Sequence, residues 1–394
     1  MKKEITTKYI LFLSSRLPYP PIGGDRLKNY WLLKILSKYF KVHLVSIAEE
    51  EIDKNFYKWA DEIDITFKVF PKKKYEFILS ASKSIFNKHP IQVNYYYSDD
   101  VKKYIDHIYK DYDLIFATLI RTAKYVMNLE KPKILDMADS IGLNYLKSLK
   151  QVKSLKWKLI YSFEEERLLE FEKKCIQLFN KVLFFNKDEM NYFNTLEKCE
   201  WIPHGVNELL LSYDKINHYY RNNICFFGKM NYQPNIDAVI WFTENVLPLI
   251  NKNLKFCIVG AYPTKEIKSL MKKYENVIVT DFLLDPYEIL KSSLCIVAPM
   301  QSGGGIQNKI LECMALGTIN IVTSIAARPI GGVNGEHFLV IDKPEEMAKT
   351  INDIYINPQK YEYLKVKSRE FIKNNFTWTI YESKIMEIIE EVLR

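Results

Sequence analysis

Residues 294–324 read LCIVAPMQSGGGIQNKILECMALGTINIVTS, and this stretch decides the fold. A short apolar run precedes three glycines, a helix-like segment covers 306–316, and a second apolar run follows. Short continuous apolar runs around a helix are typical of parallel strands that are buried on both faces. The stretch therefore predicts a strand–loop–helix–strand unit of an α/β protein.

The same alternation extends along the chain in both directions. Apolar runs and helical segments alternate from 223 to 341, and an earlier set runs from 9 to 186. A break at WIPHGVN (201–207) separates the two sets, and a last helix is predicted at about 378–393. We therefore expect two doubly wound, Rossmann-like domains whose sheets point their carboxyl ends at one cleft.

Composition limits the class of protein. Hydrophobic residues make up 48% of the 394 residues, which is enough to bury sizeable cores. No run approaches the roughly 18 apolar residues of a membrane span, and YILFL (9–13) is too short for a signal peptide, so we expect a cytoplasmic protein. The six cysteines are widely spaced, and we expect small buried hydrophobes rather than disulfides or metal ligands.

The net charge of +8 lies entirely in the first half of the chain. Residues 1–200 hold 35 Lys and Arg against 27 Asp and Glu, whereas residues 201–394 hold 21 of each. Within 68–110, nine basic and four acidic residues are mixed with Tyr and Phe. This mixture suits an anionic membrane surface; nucleic acid and an ordinary solvent-exposed face are the alternatives. We expect this segment to bind an anionic membrane surface, and we expect no binding of nucleic acid.

The three glycines form the first candidate ligand site. Glycine lets backbone amides approach a ligand closely, and a helix N-terminus attracts anions, so a diphosphate fits this loop. Glu312, farther along the predicted helix, can accept both hydroxyls of a ribose. The alternative is a simple tight turn, with Glu312 paired to Lys309 on a solvent-exposed face.

Other candidates also follow predicted strands. Gly23 and Gly24 open the first helix and can approach a phosphate or an acceptor, although the adjacent prolines argue against a nicotinamide site. Lys229, in FFGKM, places a cation where it would face the same phosphate. In ILDMADS (134–140), Asp139 is a better candidate for a base or sugar ligand than Asp136, which lies within the strand and fits a structural role. Asp139 can also cap a helix, as can Ser140.

These motifs together resemble the family 4 glycosyltransferases (glycosyl transferases group 1) with the GT-B fold. The most specific match is 298–324, and segments 19–47, 201–207 and 226–250 match in the same order. The resemblance covers essentially the whole chain. It implies domains at 1–203 and 204–377, the first completed by the helix at about 378–394.

The resemblance also implies an activity and roles for residues. The activity is a retaining, hexosyltransferase-type (EC 2.4) transfer from a nucleotide-sugar, with no metal or other cofactor. Glu312 would bind the donor ribose, Lys229 would neutralise the leaving diphosphate, and Asp139 would lie near the sugar. The remaining donor contacts would be Gly23 and Gly24 under the diphosphate, the backbone of Phe282 and Leu283 at the base, and the amides of Gly303, Gly304, Gly305 and Ile306 at the sugar and phosphate.

Three positions depart from the family pattern. Gly304 replaces the first of two usual glutamates, MNYQPN (230–235) lacks the second basic residue that often follows the one at Lys229, and Asp281 replaces a glycine. We expect a peripheral enzyme at the inner face of the cell membrane that builds a bacterial surface polysaccharide, such as lipopolysaccharide, on a lipid-linked acceptor. The alternatives are a GT-B sugar-nucleotide epimerase, for which paired acid/base residues are scarce, and a non-catalytic partner subunit.

Overall fold

Two parallel sheets organise the chain into two units. The first unit comprises Met1–Pro203 with Glu382–Arg394, and the second comprises His204–Tyr381. The structure is a computed structural model. The residues that it describes are 7–49, 51–149, 155–193, 197–303 and 305–394.

The first unit contains a seven-stranded sheet and nine α-helices within its described residues, in addition to the end of the last helix of the chain. The strands are β1 (Tyr9–Ser14), β2 (Lys41–Ala48), β3 (Thr66–Pro71), β4 (Leu114–Thr118), β5 (Lys133–Ala138), β6 (Lys181–Phe184) and β7 (Cys199–Trp201). The helices are α1 (Gly24–Leu36), α2 (Lys54–Glu62), α3 (Lys74–Ser82), α4 (Ile91–Tyr95), α5 (Asp99–Ile108), α6 (Ile120–Val126), α7 (Ile141–Leu149), α8 (Leu155–Leu178) and α9 (Lys187–Tyr192). The strand order is β3-β2-β1-β4-β5-β6-β7.

The second unit repeats this plan with six strands. They are β8 (Asn223–Phe227), β9 (Lys255–Val259), β10 (Val277–Val279), β11 (Cys295–Ala298), β12 (Asn320–Val322) and β13 (Leu339–Val340). The helices are α10 (Gln233–Asn245), α11 (Lys265–Lys273), α12 (Tyr287–Ser292), α13 (Asn308–Leu316), α14 (Ser324–Ala327), α15 (Pro344–Ile356), α16 (Glu362–Asn375) and α17 (Trp378–Val392). The strand order is β10-β9-β8-β11-β12-β13.

Burial explains why both sheets are parallel. All strand pairs of both sheets run parallel, and central strands such as β4 and β5 are buried along their whole length. Parallel strands need helices on both faces, and the alternating order of strands and helices supplies them. The predicted α/β class with two doubly wound sheets is confirmed.

The strand order locates the places where a ligand can bind. In the first sheet the order reverses between β1 and β4, and in the second between β8 and β11. Loops that leave neighbouring strands at such a switch point diverge to opposite faces and open a crevice at the carboxyl edge. The glycine-rich loop follows β11, and Gly23 and Gly24 follow β1.

Some predicted elements differ from the structure. Within the described residues, the helical run predicted at 144–180 contains α7 and α8, which end and begin on either side of 150–154. The helices between β2 and β4 were not assigned from the sequence; α4 has only five residues and shows little periodicity. None of the helices in the described part of the chain is both long and apolar enough to cross a membrane.

The last helix belongs to both units. α17 begins in the second unit, and its residues from Glu382 onward belong to the first. Nζ of Lys38 lies 2.7 Å from a carboxylate oxygen of Glu382, and Nζ of Lys181 lies 2.9 Å from one of Glu391. These contacts fix the end of the helix on the first unit.

Candidate functional site

Two glycines that pack against each other fix the loop after β8. An ideal Cβ at Gly260 would lie 1.8 Å from the carbonyl oxygen of Gly228, so no larger residue fits there. Lys229 follows with an exposed side chain, and its carbonyl accepts a 2.8 Å hydrogen bond from Nδ2 of Asn235. The backbone of Lys229 is thereby held at the switch point of the second sheet.

The glycine-rich loop connects β11 to α13. Gly303 has φ +112°, a conformation that glycine adopts at little cost. Gly305 and Ile306 are partly buried loop residues, because α13 begins two residues later than predicted. Gln307 at the N-cap makes no side-chain capping bond, so the first N–H groups of α13 are not capped from that side chain. Gly304 lies outside the described residues.

Glu312 lies on the second turn of α13 and is partly buried. The hydroxyl of Tyr287 donates a 3.3 Å hydrogen bond to its Oε2. Burial raises the pKa of Glu312 to about 7, and the bond from Tyr287 acts in the opposite direction. A carboxylate can accept about four hydrogen bonds, so Glu312 has capacity left for the hydroxyls of a ligand.

Lys309, one turn before Glu312, also lies at this site, although no ligand role was predicted for it. Its Nζ donates to Oδ1 of Asn235 and lies 3.3 Å from Sδ of Met300 and 4.5 Å from the ring centre of Phe226. Burial lowers the pKa of Lys309 to about 7. The alternative of an exposed Glu312–Lys309 pair is therefore wrong. The spacing of three residues on a helix was the available signal that both side chains share a face.

The predicted base-contacting residues lie at the outer strand. Phe282 and Leu283 follow β10, which is separated from β8 by β9. The Phe282 ring is 66% exposed, whereas Leu283 packs against the core of the unit. Asp281 pairs with Lys268 at 3.3 Å. Contact of Phe282 and Leu283 with a base stays a prediction.

In the first unit, Asp139 comes directly after β5 and after a strained residue. Ala138 has φ +63°, which is uncommon for a residue with a Cβ. Oδ1 of Asp139 is buried without a hydrogen-bond partner in the described part of the chain. Burial raises the pKa of Asp139 to about 7, and the nearby carboxylate of Glu189 adds to the shift. A carboxyl group in this range can exchange a proton at neutral pH.

Neighbouring side chains take two structural roles at this strand end, one of which is the helix cap that was considered for Asp139. Asp136 is buried within β5 and forms an ion pair with Lys28 of α1. Oγ of Ser140 accepts a 3.0 Å hydrogen bond from the N–H of Leu143 in the first turn of α7. Asp139 therefore serves neither as the strand's ion-pair partner nor as this helix cap, which leaves a ligand role open for it.

The two glycines of the first unit differ from each other. Gly23 has φ +110° at the N-cap of α1, so its backbone requires glycine. An ideal Cβ at Gly24 meets no atom within 4 Å, so packing does not explain that residue. The Lys28–Asp136 pair ties α1 to β5, which brings the start of α1 toward the strand that ends before Asp139.

The predicted residues thus gather at the edge of each sheet separately. In the second unit, Lys229, Glu312 and the glycine-rich loop share the adjacent ends of β8 and β11, whereas Phe282 and Leu283 follow a strand farther out. No group of three or more His, Cys, Asp or Glu side chains in the described ranges is arranged to hold a metal ion.

Comparison with known proteins gives one family and one curated relative. Residues 221–357 match the family model Glycosyl transferases group 1. A Klebsiella pneumoniae protein named "Uncharacterized 44.6 kDa protein in cps region" is 25% identical over 386 residues. The match covers 93% of this chain and 96% of that protein.

Solved structures resemble the chain over nearly its full length. Anabaena HepE in complex with UDP matches with a TM-score of 0.68 and 13% identity, covering 98% of this chain and 100% of HepE. The HepE complex with UDP-glucose matches with a TM-score of 0.67 and 14% identity, covering 97% and 99%. Sucrose-phosphate synthase from Thermosynechococcus elongatus matches with 0.68 and 14%, covering 98% and 99%.

Proposed function

The chain belongs, through residues 221–357, to the group 1 glycosyl transferases and has the GT-B fold, and from this premise we propose that it transfers a sugar from a nucleoside-diphosphate sugar. The family and fold expected from the sequence are thereby confirmed. The observation that carries the proposal is the position of Glu312, a partly buried carboxylate beside a glycine-rich loop at a switch point. Switch points of this kind are where α/β sheets bind nucleotides.

Each part of the donor has a matching group in the second unit. Glu312 binds the ribose hydroxyls through charge-assisted hydrogen bonds. The amine of Lys229 and the amides of residues 303–306 bind the diphosphate and the sugar, and the backbone of Phe282 and Leu283 binds the base. UDP is the favoured nucleotide, because the HepE structures contain UDP and UDP-glucose.

Asp139, Gly23 and Gly24 are the further residues that we assign to the transfer. The bond between the anomeric carbon and the diphosphate oxygen breaks, and the acceptor oxygen forms the new bond on the same face of the sugar. Negative charge grows on the departing diphosphate, where Lys229 stabilises it, so the reaction requires no metal. Asp139, with a pKa of about 7, contacts the sugar or takes the proton of the acceptor hydroxyl.

The acceptor is a lipid-linked glycan intermediate of a bacterial surface polysaccharide. The relative named for a cps (capsule) region supports this pathway. A lipid-linked acceptor is presented at a membrane, so the enzyme works peripherally at the inner face of the cell membrane as a hexosyltransferase. An exposed surface of the first unit supports this location.

This surface is an apolar patch around α3. It consists of Tyr75, Ile78, Leu79, Ile85 and Phe86, whose side chains are 57%, 67%, 62%, 73% and 90% exposed. The exposed lysines in the same segment are Lys73, Lys74, Lys83 and Lys88. Apolar side chains surrounded by lysines match an anionic bilayer, which offers hydrocarbon below a negative surface.

Lys72 is not part of that surface. Its Nζ donates to the carbonyls of Tyr95 and Tyr97, both at 2.8 Å, and to Oγ of Ser80 at 2.9 Å. The residue is buried, and burial lowers the pKa of Lys72 to about 8. Lys72 therefore holds α3 and the following loop in place and is excluded from the membrane surface expected for 68–110.

The proposal is tested by incubating the full-length chain with a panel of nucleotide-sugars, with and without membrane extract. We expect release of the nucleoside diphosphate and a glycosylated lipid only with the extract. Conversion of the sugar without extract would identify an epimerase instead. If neither reaction occurs and no nucleotide-sugar binds, the chain is a non-catalytic subunit.

A further inference from the structure

The amine of Lys309 lies among neutral groups. Among the described residues, its contacts are the amide oxygen of Asn235, the sulfur of Met300 and the ring face of Phe226. A charged amine that is partly buried costs free energy, and a structural lysine recovers that cost through an acidic partner or through several oxygen acceptors, as Lys72 does with two carbonyls and a hydroxyl. The contacts of Lys309 supply only a single amide oxygen among the described residues.

The place of Lys309 on its helix adds to the cost. Lys309 is the second residue of α13, and a cation is unfavourable at a helix N-terminus, where the backbone carries partial positive charge. Lys291 on α12 shows the opposite arrangement. Its Nζ donates a 2.6 Å hydrogen bond to the carbonyl of Leu316 at the other end of α13, where a cation stabilises the helix. Local structure therefore explains Lys291 but not Lys309, whose position suits an anion that binds there.

Asn235 connects Lys309 to Lys229. Its amide oxygen accepts from Nζ of Lys309, and its amide nitrogen donates to the carbonyl of Lys229 at 2.8 Å. An ideal Cβ on Gly228 would lie 2.8 Å from that nitrogen, so the loop after β8 packs closely on this amide. One side chain thus sets the position of both lysines at the switch point.

We propose that Lys309 supplies a second positive charge to the donor diphosphate, alongside Lys229, and that Asn235 positions the two lysines. The inference rests on the proposed function, because the anion is the diphosphate of the donor. The segment after Lys229, MNYQPN (230–235), contains no basic residue, and α13 supplies a cation from the opposite side of the switch point. On binding, the amine exchanges neutral partners for phosphate oxygens.

The test compares Lys309→Met with Lys291→Met in the full-length chain. Titration calorimetry should show that Lys309→Met weakens UDP binding by about 10- to 100-fold, the size of a lost charge-assisted contact. Its Tm should stay the same or rise, because a partly buried charge is removed without breaking an ion pair. Lys291→Met should lower Tm and leave UDP affinity within twofold.

Two further readouts separate a ligand role from a structural one. Glu312, one turn away, ionises over the same pH range as Lys309 and acts in the opposite direction on donor binding, so the two proteins are compared at each pH. The ratio of the Kd of Lys309→Met to that of the wild type for UDP-glucose should be large below pH 7 and should shrink as pH rises through about 7, where Lys309 loses its proton. Asn235→Lys in the Lys309→Met background places an amine beside the lost one and should restore part of the UDP affinity.

Unchanged UDP affinity in Lys309→Met would overturn the inference and leave the proposed function standing. A lowered Tm together with no restoration by Asn235→Lys would also overturn it, since the lysine would then be structural. If the wild type binds none of UDP, GDP, ADP and dTDP, the proposed function fails and the inference fails with it.

Discussion

The ends of the two sheets differ in charge, and the difference is the reverse of that between the two halves of the chain. Residues 1–200 carry the whole net charge of +8, yet the edge after β5 gathers the acids Asp139, Glu172 and Glu189. Residues 201–394 carry no net charge, yet the edge after β8 and β11 presents Lys229 and Lys309. The net charge of each half therefore does not predict the charge at its sheet edge, where a ligand would bind.

Burial has opposite effects on the pKa values of the groups at the two sheet edges. In the first unit, acids crowd each other in a buried setting, and burial raises the pKa of Glu172, like that of Asp139, to about 7. In the second unit, burial lowers the pKa of Lys309 to about 7. Acids with a pKa near 7 suit proton exchange in the first unit, and a lysine with a pKa near 7 suits anion binding in the second.

The largest effect is expected for Asp139, at the acidic edge of the first sheet. Asp139→Asn keeps the size of the side chain but removes its ability to exchange a proton. We expect kcat to fall by about 10²- to 10⁴-fold, the usual contribution of general acid–base catalysis. UDP affinity should stay within twofold, because the nucleotide contacts that we propose lie in the other unit. Steady-state kinetics and calorimetry check the two expectations, and unchanged turnover would remove Asp139 from the mechanism.

The stability of the same variant distinguishes a functional acid from a structural one. Because the pKa of Asp139 is raised from 3.8 to about 7, its contribution to stability is present at low pH and is lost as pH rises through about 7. Asp139→Asn should therefore raise Tm at pH 8. Asp136→Asn is the control and should lower Tm, because it removes the charged partner of the buried Lys28.

The second-largest effect is expected for Glu312, the acid that lies near Lys229 and Lys309. Glu312→Ala should weaken UDP binding by about 10- to 150-fold, since a charge-assisted hydrogen bond contributes about 1.5–3 kcal/mol. The variant should also lose the preference for UDP over 2′-deoxy-UDP. Glu266→Ala, on α11, is the matched control. Equal affinity of the wild type for the two nucleotides would show that Glu312 does not bind the ribose.

The residues of this second edge show what the sequence can predict. Three glycines between an apolar run and a helix indicate a loop at a strand end, and Glu312 follows from its spacing along that helix. The contact of Lys309 with Asn235 could not be predicted, because Asn235 lies 74 residues away and follows another strand. Contacts across the switch point depend on strand order, which a single sequence does not contain.

Lys229 provides a smaller effect and separates the two lysines. Lys229 is exposed, so its charge costs little free energy of desolvation when no ligand is present. Lys229→Ala should lower kcat about tenfold with little change in KM, since negative charge grows on the diphosphate mainly in the transition state. Full turnover with a raised KM would contradict this and would assign Lys229 to binding of the ground state.

The basic segment 68–110 and the apolar patch show further limits of prediction from sequence. The charge of 68–110 indicated a basic surface, but a lysine count could not distinguish the buried Lys72 from exposed neighbours such as Lys74. The apolar patch was not predicted, because Ile78 and Phe86 have the residue types of a core. Only their exposure in the structure assigns them to the surface.

The smallest effect tests whether the positive charge of the first half serves a membrane. Lys74→Gln should weaken binding to vesicles that contain phosphatidylglycerol by about fivefold at low salt, since one lysine near such a surface contributes about 1 kcal/mol. The loss should shrink at physiological salt, where exposed charges are screened within about 8 Å. Phe86→Ser should weaken binding to a similar degree at both salt concentrations, because burial of apolar surface is not screened. Lys272→Gln on α11 of the second unit is the control and should have no effect in vesicle sedimentation. If the wild type does not sediment with these vesicles at any salt concentration, the patch is an ordinary solvent-exposed face, and the charge of the first half carries no information about a membrane.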